Sequence, residues 1–299
     1  MAQQERRPFG RTGTDVGVLG FGAMELRGPG YNLGRQIDDD HATRLLNLVL
    51  DLGIDFVDTS PDYGRSEELI GRAIAGRRDE FFLASKCGCP EEDGPELPRP
   101  LVHDYSKATI VTVVERSLRR LATDHLDLVQ LHGTPTRSRL EADDTIATLH
   151  ALRDQGKVRF IGSSSMLPQL DELIDLDVFD GFQVPYSAMQ RQHEQAMARA
   201  GRAGAAIVVR GALAQGRRDV PWSPGWDGWA AAGLDDLLDG GTPTDFMLRY
   251  AISHPATTTA IVGTLDPGHL RANVAAAQRG PLPADVYTAT QERLSAVTR

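Results

Sequence analysis

The first half of the sequence carries four residues whose types together suit proton exchange with a small molecule. Asp58 and Tyr63 lie in DTSPDYG, Lys86 in ASKCG and His132 in LVQLHG. The pKa of a tyrosine hydroxyl is about 10, which is too high for proton exchange at neutral pH, but a nearby ammonium group stabilises the phenolate. We therefore expect Lys86 to lower the pKa of Tyr63, and Asp58 to hold Lys86 in place. His132 would orient a substrate oxygen or relay its proton.

The elements that must position these residues are short apolar segments alternating with amphipathic ones, which is typical of parallel strands joined by helices. The predicted strands are VLGFGAM (18–24), IDFVDTS (54–60), EFFLASK (80–86), LDLVQLH (126–132), VRFIGSS (158–164), GFQVPY (181–186), AAIVVRG (205–211) and TTAIVG (258–263). Eight strands predict an α/β fold of the (β/α)8 TIM barrel type, because a doubly wound sheet normally carries G-x-G-x-x-G after its first strand. The four residues would then meet at the C-terminal strand ends, although each alone also fits a structural role.

Amphipathic patterns between the strands predict the helices. In HATRLLNLVLDLG (41–53) one face is apolar, Asp40 is placed to cap the start of the helix, and Gly53 is placed to end it. Similar stripes occur in SEELIGRAI, IVTVVERSLRRL, IATLHALRDQG, LDELIDL, EQAMARAG, DFMLRYAIS and HLRANVAAA. The opening RPFGRTGTDV predicts an N-terminal β-hairpin that closes the bottom of the barrel. No linker interrupts the pattern, so we predict one domain over residues 1–299.

Two segments are longer than ordinary connections, residues 87–107 and residues 214–243. Both follow predicted strands, so we expect them to border the same end of the barrel. The second contains Trp222, Trp226 and Trp229, which fit either an aromatic wall of a pocket or a hydrophobic attachment of the loop.

Composition narrows the classes of partner. The net charge of -9 disfavours binding to a phosphate backbone, and no segment supplies a secretory signal or about 18 uninterrupted apolar residues for a membrane span. Cys87 and Cys89 stand too close for an ordinary disulfide and are too few for a closed zinc site. We expect a cytoplasmic protein with unreactive thiols, no metal, no nucleic-acid or membrane partner, and a small molecule as its substrate.

The motifs, taken in order, resemble the aldo-keto reductase superfamily over nearly the whole chain. They are GFGAM (20–24), DTSPDYG, ASKCG, LDLVQLHG, GKVRFIGSSS (156–165), FQVPYSAMQR (182–191) and IVGTLDPGHLRANVAAA (261–277). The resemblance implies an NAD(P)(H)-dependent oxidoreductase that reduces an aldehyde or ketone to an alcohol, or catalyses the reverse. Tyr63 would be its general acid in reduction, tuned by Lys86 and Asp58. His132 would bind the substrate oxygen.

The resemblance also implies a set of coenzyme contacts. These are Gly22, Ala23, Met24, Asp58, Ser164, Ser165, Gln183, Arg210, Gly211, Leu213, Gln215, Gly216, Arg217, Val262, Gly263, Thr264, Asp266, His269 and Asn273. Ser164, Ser165 and Gln183 would hydrogen-bond the nicotinamide carboxamide. Backbone amides at the start of the last helix, which the segment IVGTLDPGHLRANVAAA (261–277) predicts, suit the anionic part of the coenzyme.

The chain departs from the family pattern in three places. Ser165 stands where many members have asparagine, and it is a shorter partner for the carboxamide. Arg210 stands where many members have an aromatic residue against the nicotinamide, and its planar guanidinium can still lie against a ring. Gly263 and His269 stand where stronger cations are common, and Asp266 adds a negative charge. We therefore predict NADP(H) as the preferred coenzyme, by a small margin over NAD(H).

Two other functions fit parts of the pattern. The potassium-channel beta subunits share this barrel, so a nucleotide-binding regulatory or redox-sensing protein with little turnover is one alternative. The complete set of four residues disfavours it, and turnover of any carbonyl would distinguish the two. A metal-dependent hydrolase using Asp58 and His132 is weaker, because Lys86 would place a positive charge beside the metal.

Overall fold

The strands form the centre of the molecule in the computed structural model, which describes residues 4–29, 34–89, 102–213 and 226–297. They are β1 (Arg6–Pro8), β2 (Asp15–Gly17), β3 (Leu19–Gly22), β4 (Phe56–Asp58), β5 (Phe82–Cys87), β6 (Leu126–His132), β7 (Val158–Ser164), β8 (Gly181–Pro185), β9 (Ala206–Arg210) and β10 (Thr259–Val262). β3 to β10 are parallel and close into a barrel in the order β10-β3-β4-β5-β6-β7-β8-β9. The predicted (β/α)8 barrel is confirmed.

The helices lie in the connections between these strands and after β10. They are α1 (Asp39–Asp51), α2 (Ser66–Ile74), α3 (Lys107–Leu121), α4 (Arg137–Ala142), α5 (Thr145–Asp154), α6 (Gln169–Ile174), α7 (Glu194–Arg202), α8 (Asp227–Ala231), α9 (Pro243–Ser253), α10 (Pro267–Gln278) and α11 (Ala284–Val297). Short 3-10 helices occupy Ala23–Arg27, Ala75–Glu80 and Leu234–Leu237. Every amphipathic segment named above overlaps a helix, whereas α4, α8 and α11 were not predicted. Among the described residues, none of the helices combines the length and apolarity needed to span a bilayer.

The start of α1 differs from the prediction. Asp38, in an extended conformation, accepts a hydrogen bond from the backbone N–H of His41 through its side chain. Asp40 lies inside the first helical turn and is exposed, so the predicted cap at Asp40 is wrong. Both residues are aspartates two positions apart, and the backbone conformation decides which one caps the helix. Gly53 follows the helix with φ +81, as its predicted role requires.

The predicted N-terminal hairpin is also confirmed. β1 and β2 pair antiparallel, and the backbone N–H of Phe9 donates to the carbonyl of Thr14 at 2.7 Å. Gly10 lies in the turn with φ +55, and a Cβ at this position would come within 2.5 Å of the Gly204 carbonyl. The turn therefore needs glycine, both for its left-handed backbone and for its close approach to the barrel.

The hairpin places Phe9 inside the bottom of the barrel. Its ring is fully buried and lies 4.8 Å from the ring of Phe82 and 6.1 Å from that of Phe56, measured between centroids. Val16, Ala84, Leu128, Ala206, Val208 and Ile261 complete this cluster. The bottom of the barrel is thus filled with apolar side chains.

The described part of the segment 214–243 is attached to the protein by its tryptophans. Trp226 and Trp229 are buried with ring centroids 5.3 Å apart, and Nε1 of Trp229 donates to Asp235 at 2.8 Å. Of the two roles considered for these tryptophans, hydrophobic attachment fits Trp226 and Trp229. Trp222 lies outside the described residues.

Candidate active site

Asp58 is the centre of a hydrogen-bond network that crosses the C-terminal end of the barrel. Nζ of Lys86 donates to Oδ2 of Asp58 at 2.7 Å and to the carbonyl of Thr59 at 2.8 Å. Nε2 of Gln130 and Nε2 of Gln183 both donate to Oδ1 of Asp58, at 2.9 and 2.8 Å. All of these side chains are buried. A buried ion pair is tolerated only when its remaining hydrogen-bonding groups are satisfied, and the two amides satisfy the second carboxylate oxygen.

Asp58 also keeps the ammonium group of Lys86 charged. Burial alone would lower the pKa of Lys86, but the charge of Asp58 and its hydrogen bond outweigh burial and raise it above its usual value. Lys86 is therefore a fixed positive charge inside the barrel. The prediction that Asp58 holds Lys86 in place matches this geometry.

Tyr63 lies beside this pair, in the turn after β4. Nζ of Lys86 is 4.9 Å from the centroid of the Tyr63 ring, and the rings of Tyr63 and His132 are nearly perpendicular with centroids 6.0 Å apart. Burial raises the pKa of Tyr63 above its usual value, and Lys86 acts in the opposite direction. Lys86 thus acts in the expected direction, but desolvation together with the carboxylates of Asp58 and Asp62 outweighs it in this structure.

His132 ends β6 at the same rim. Its Nδ1 atom lies 3.3 Å from Oγ of Ser60, 3.3 Å from Sγ of Cys89 and 3.4 Å from Oδ1 of Asp62. Burial opposes ionisation of Asp62, but His132 and Ser60 lower the pKa of its carboxyl group well below the usual range. The four residues predicted to be catalytic thus meet at one end of the barrel, and their roles remain predictions.

The residues predicted to contact the coenzyme occupy the other part of the same rim. Gly22, Ser164, Arg210 and Val262 end β3, β7, β9 and β10, and Gln183 lies in β8. Ala23 and Met24 begin the 3-10 helix after β3, Ser165 follows β7, Gly211 and Leu213 follow β9, Gly263, Thr264 and Asp266 join β10 to α10, and His269 and Asn273 lie on α10. Gln215, Gly216 and Arg217 lie outside the described residues. The residues predicted to be catalytic thus lie on β4 to β6 and in the turn after β4, and the described coenzyme candidates other than Asp58 lie on β3 and β7 to β10 or just after them.

The two serines predicted to bind the nicotinamide carboxamide differ in their contacts. Oγ of Ser164 donates to Oε1 of Gln183 at 3.2 Å, close to the rim. Ser165 is fully buried, and its hydroxyl lies 2.6 Å from that of Ser163 and donates to the Gly133 carbonyl at 3.4 Å. Ser164 and Gln183 offer a hydroxyl and an amide that suit a carboxamide, whereas the hydroxyl of Ser165 is directed into the protein.

The connection from β10 to α10 shows a close approach and a capped helix. A Cβ at position 263 would lie 2.7 Å from the carbonyl oxygen of Gly22, so glycine lets the two strand ends approach. Oδ1 of Asp266 accepts from the backbone N–H groups of Gly268 at 2.7 Å and His269 at 3.4 Å. The amides expected to receive an anionic group are thus already engaged by Asp266.

Arg210 lies at the boundary between the two groups of residues. Burial lowers the pKa of Arg210, and the charges of Tyr63 and Asp58 act in the opposite direction. Its guanidinium group is therefore close enough to the catalytic residues to interact with their charges. This position suits the predicted contact with the nicotinamide.

Sequence reasoning missed Gln130, which the structure places in contact with Asp58. The signal was present, since Gln130 is a polar residue within the apolar run LVQLH, in phase with the inward-facing Leu128. The contact between Lys86 and the carbonyl of Thr59 could not be predicted from the sequence. Every residue has a backbone carbonyl, so the residue type does not show which one accepts a hydrogen bond. The thiols agree with the expected low reactivity: both are buried, and burial raises the pKa of Cys87 to about 12.

Comparison with known proteins gives the family. Residues 18–220 match the model of the aldo/keto reductase family, and the chain belongs to this family. The aldo-keto reductase AKR11C1 from Bacillus halodurans, in a holo form, is 31% identical and superposes with a TM-score of 0.84 over 97% of this chain and 96% of that one. The glycerol dehydrogenase AKR11B4 from Gluconobacter oxydans is 26% identical, with a TM-score of 0.82 over 99% and 96%. Pyridoxine 4-dehydrogenase of Escherichia coli is 30% identical over 87% of this chain and 89% of its own length.

The family and the fold together define the general activity. The protein is an oxidoreductase of a family that acts on small carbonyl compounds with a nicotinamide coenzyme. The predicted membership and the predicted fold are both confirmed.

Proposed function

We propose that the protein reduces an aldehyde or ketone, or oxidises the corresponding alcohol, with Tyr63 as the general acid or base. The observation that carries this proposal is the buried pair of Lys86 and Asp58 directly beside the Tyr63 ring. A fixed ammonium group stabilises negative charge that develops on the phenol oxygen when it gives up its proton. His132, at the same rim, is placed to hold the substrate oxygen.

The bound coenzyme would supply or accept the hydride. Ser164 and Gln183 would exchange their mutual hydrogen bond for bonds to its carboxamide, and Arg210 would lie against its ring. Gly263 is needed for the close approach of β10 to β3, which sets the position of the neighbouring coenzyme candidates Thr264 and Asp266. These residues fit a nicotinamide nucleotide.

We further propose that the protein binds NADPH more tightly than NADH, by a small margin. Arg271, on the exposed start of α10, is a described cation that would favour the additional phosphate, and the imidazole of His269 lies on the same turn. Asp266 opposes this phosphate, because its carboxylate sits at the same helix start and occupies two backbone amides. The balance of these charges keeps the predicted preference small.

The decisive test is Tyr63→Phe, examined with a substrate found in a coenzyme-coupled screen of aldehydes, ketones and sugars. We expect kcat to fall by at least about 10² to 10⁴, because the variant has no proton to exchange. The coenzyme Kd should stay nearly unchanged, because the ring is retained. Tyr250→Phe is the matched control: it removes a hydroxyl that donates to Glu194 at 3.2 Å on the outer helices.

Three outcomes are informative. Loss of kcat in Tyr63→Phe with normal kcat in Tyr250→Phe supports the proposal. A near-normal kcat in Tyr63→Phe would refute the role of Tyr63. Tight coenzyme binding by the unmodified protein, without turnover of any carbonyl or alcohol, would favour the regulatory or redox-sensing alternative.

A further inference from the structure

A cluster of side chains able to bind a metal shares His132 with the rim described above. Asp62, Cys89, His103 and His132 each offer one atom able to bind a metal, and these four atoms all lie within 4.8 Å of one another. Sγ of Cys89 and Oδ1 of Asp62 are 3.3 and 3.4 Å from Nδ1 of His132. The ring of His103 lies 5.0 Å from that of His132 between centroids.

We propose that this cluster binds one divalent cation of the zinc class, through the carboxylate of Asp62, the thiolate of Cys89 and the imidazoles of His103 and His132. Thiolate and imidazole ligands select Zn²⁺ and related ions, whereas Mg²⁺ and Ca²⁺ prefer oxygen ligands alone. Four protein ligands of this kind make up a tetrahedral zinc site. The proposal does not depend on the reductase activity of the neighbouring rim.

The spacing of the atoms fits tetrahedral coordination. Zinc bonds of about 2.0 Å to nitrogen or oxygen and about 2.3 Å to sulfur place neighbouring ligand atoms roughly 3.3 to 3.7 Å apart. Nδ1 of His132 lies 3.3 Å from Sγ of Cys89 and 3.4 Å from Oδ1 of Asp62, which are two of the other proposed ligand atoms. The other separations among the four atoms are at most 4.8 Å, so the ligands would move closer together around a bound ion.

Several polar groups converge on one nitrogen of the cluster. Nδ1 of His132 has Ser60, Asp62 and Cys89 within 3.4 Å. The hydroxyl of Ser60 is engaged by Asp62, so the thiol of Cys89 and the carboxylate of Asp62 are the ligand groups that face the imidazole. A cation between the ligand atoms would contact the sulfur, the carboxylate and the imidazole together.

The surrounding residues hold the ligands in position. The hydroxyl of Ser60 donates to Asp62. The hydroxyl of Tyr105 donates to the His132 carbonyl at 2.6 Å, and the ring of Tyr105 stacks against that of His103 at 6.4 Å between centroids. Such outer contacts orient metal ligands and commonly change metal affinity about 10- to 100-fold.

Binding would change the chemistry of two ligands. The thiol of Cys89 would lose its proton to solvent as the sulfur–metal bond forms, with no change in oxidation state. Coordination through Nδ1 would leave the hydrogen of His132 on Nε2. The imidazole would then be fixed as a donor through Nε2, the nitrogen on the side opposite the metal.

The test is direct binding of Zn²⁺, measured by competition with a chromophoric chelator, and of Co²⁺, measured by visible absorption. We expect one ion per chain and a thiolate-to-cobalt charge-transfer band. Cys89→Ser should abolish the band, and both Cys89→Ser and His103→Gln should weaken zinc affinity by at least about tenfold. Mg²⁺ should not compete.

Matched controls separate this site from others on the protein. Cys87→Ser removes the other thiol, which is buried on β5, and His125→Gln removes a histidine paired with Asp124 at the surface. Both should bind zinc like the unmodified protein. If Cys89→Ser fails to fold by circular dichroism, His103→Gln, in a half-buried loop position, decides the question.

Three results would overturn the proposal. The first is an unmodified protein that yields all its zinc to the chelator. The second is equal zinc affinity in the two site variants and the two controls, which would place the ion elsewhere. The third is bound cobalt without a charge-transfer band, which would exclude Cys89 as a ligand.

Discussion

The two ends of the barrel interior are built from the same strands and have opposite character. On β4, β5 and β6 the lower inward positions are Phe56, Phe82 and Leu128, and they pack around Phe9. Further up the same strands the inward residues are Asp58, Lys86 and Gln130. A few residues along each strand therefore separate a purely apolar layer from a charged one.

This contrast shows what each end contributes. The lower layer needs only apolar volume, because its side chains fill the space with no polar group to satisfy. The upper layer is stable only as a set, since each buried charge or amide depends on a partner from another strand. The lower layer thus contributes mainly to the stability of the fold, and the upper layer to the proposed chemistry. Substitutions in the two layers should therefore affect stability and kcat differently.

The largest effect is expected for Lys86→Met, which breaks the upper layer. The variant leaves Asp58 buried without its cation, which should lower the free energy of unfolding by about 3 to 5 kcal/mol. It should also lower kcat by at least about 10², because the charge beside Tyr63 is lost. Urea unfolding and steady-state kinetics measure the two effects.

Lys157→Met is the control for this variant. Lys157 pairs with Glu115 where both side chains are partly exposed, and such pairs contribute at most about 1 kcal/mol. Equal losses of stability in the two lysine variants would contradict the special role of the buried pair.

Phe9→Ala should break the lower layer with little effect on chemistry. Removing a fully buried ring costs about 3 to 5 kcal/mol, because the cavity it leaves relaxes only partly. At a temperature where the variant stays folded, kcat should match that of the unmodified protein. Phe9→Leu, which keeps much of the volume, should lose less stability. A fall in kcat like that of Tyr63→Phe would show that the two ends are coupled.

The sequence predicted the lower layer and the strand framework better than the upper network. Period-two apolar patterns identify strands, and RPFGRTGTDV predicted the hairpin. α11 was not predicted from the sequence, because it has no clear apolar stripe. The side chains that it buries are chiefly those of Thr290 and Leu294. Asp58 was expected to contact Lys86 alone, but it accepts hydrogen bonds from Lys86, Gln130 and Gln183. Contacts across a barrel depend on strand register, which a local sequence pattern does not show.

The proposed cation site illustrates the same limit. Its ligands are spread over residues 62–132 at irregular intervals, and a metal pattern is recognised from sequence mainly by regular short spacing. The absence of a metal was therefore the natural expectation from the sequence. Only the convergence of two connections, β4 to α2 and β5 to α3, with the end of β6 brings the four side chains together.

A smaller effect is expected from acid, and it should act at the upper end. Burial lowers the pKa of His193, in the loop after β8, and the positive charge of Arg210 lowers it further. Nε2 of His193 accepts from the backbone N–H of Leu167 at 3.3 Å, so the neutral ring is the bound form. At the lower end, Phe9 packs in a cluster of apolar side chains, which do not titrate.

The sign of this effect follows from linkage. The folded pKa of His193 lies below its unfolded value of about 6.5, so the unfolded chain binds the proton more readily. The contribution of His193 to the free energy of unfolding is fully present above its unfolded pKa. It is lost as pH falls through its folded pKa. We expect the stability difference between the unmodified protein and His193→Gln to shrink from pH 7 to pH 5 in urea unfolding. A difference that grows in acid would show that the folded protein prefers the protonated ring.

The smallest predicted effect concerns the charge at the coenzyme part of the rim. Asp266→Asn keeps a side-chain oxygen that caps α10 about as well as aspartate does, while it removes the negative charge. Because NADPH differs from NADH by a phosphate, the variant should bind NADPH about two- to fivefold more tightly and NADH nearly as before. The gain should shrink as salt is added, since the site is exposed and screened.

Asp285→Asn separates this local effect from a change in net charge, because Asp285 is an exposed acidic residue in the first turn of a different helix, α11. It should leave the ratio of the NADPH and NADH Kd values unchanged. If Asp266→Asn tightens both coenzymes equally, the carboxylate acts on the pyrophosphate that they share. If it changes neither, the coenzyme phosphates lie away from the start of α10. A selective gain for NADPH alone would mean that Asp266 reduces the protein's preference for the phosphorylated coenzyme, and it would place the additional phosphate next to the cap of that helix.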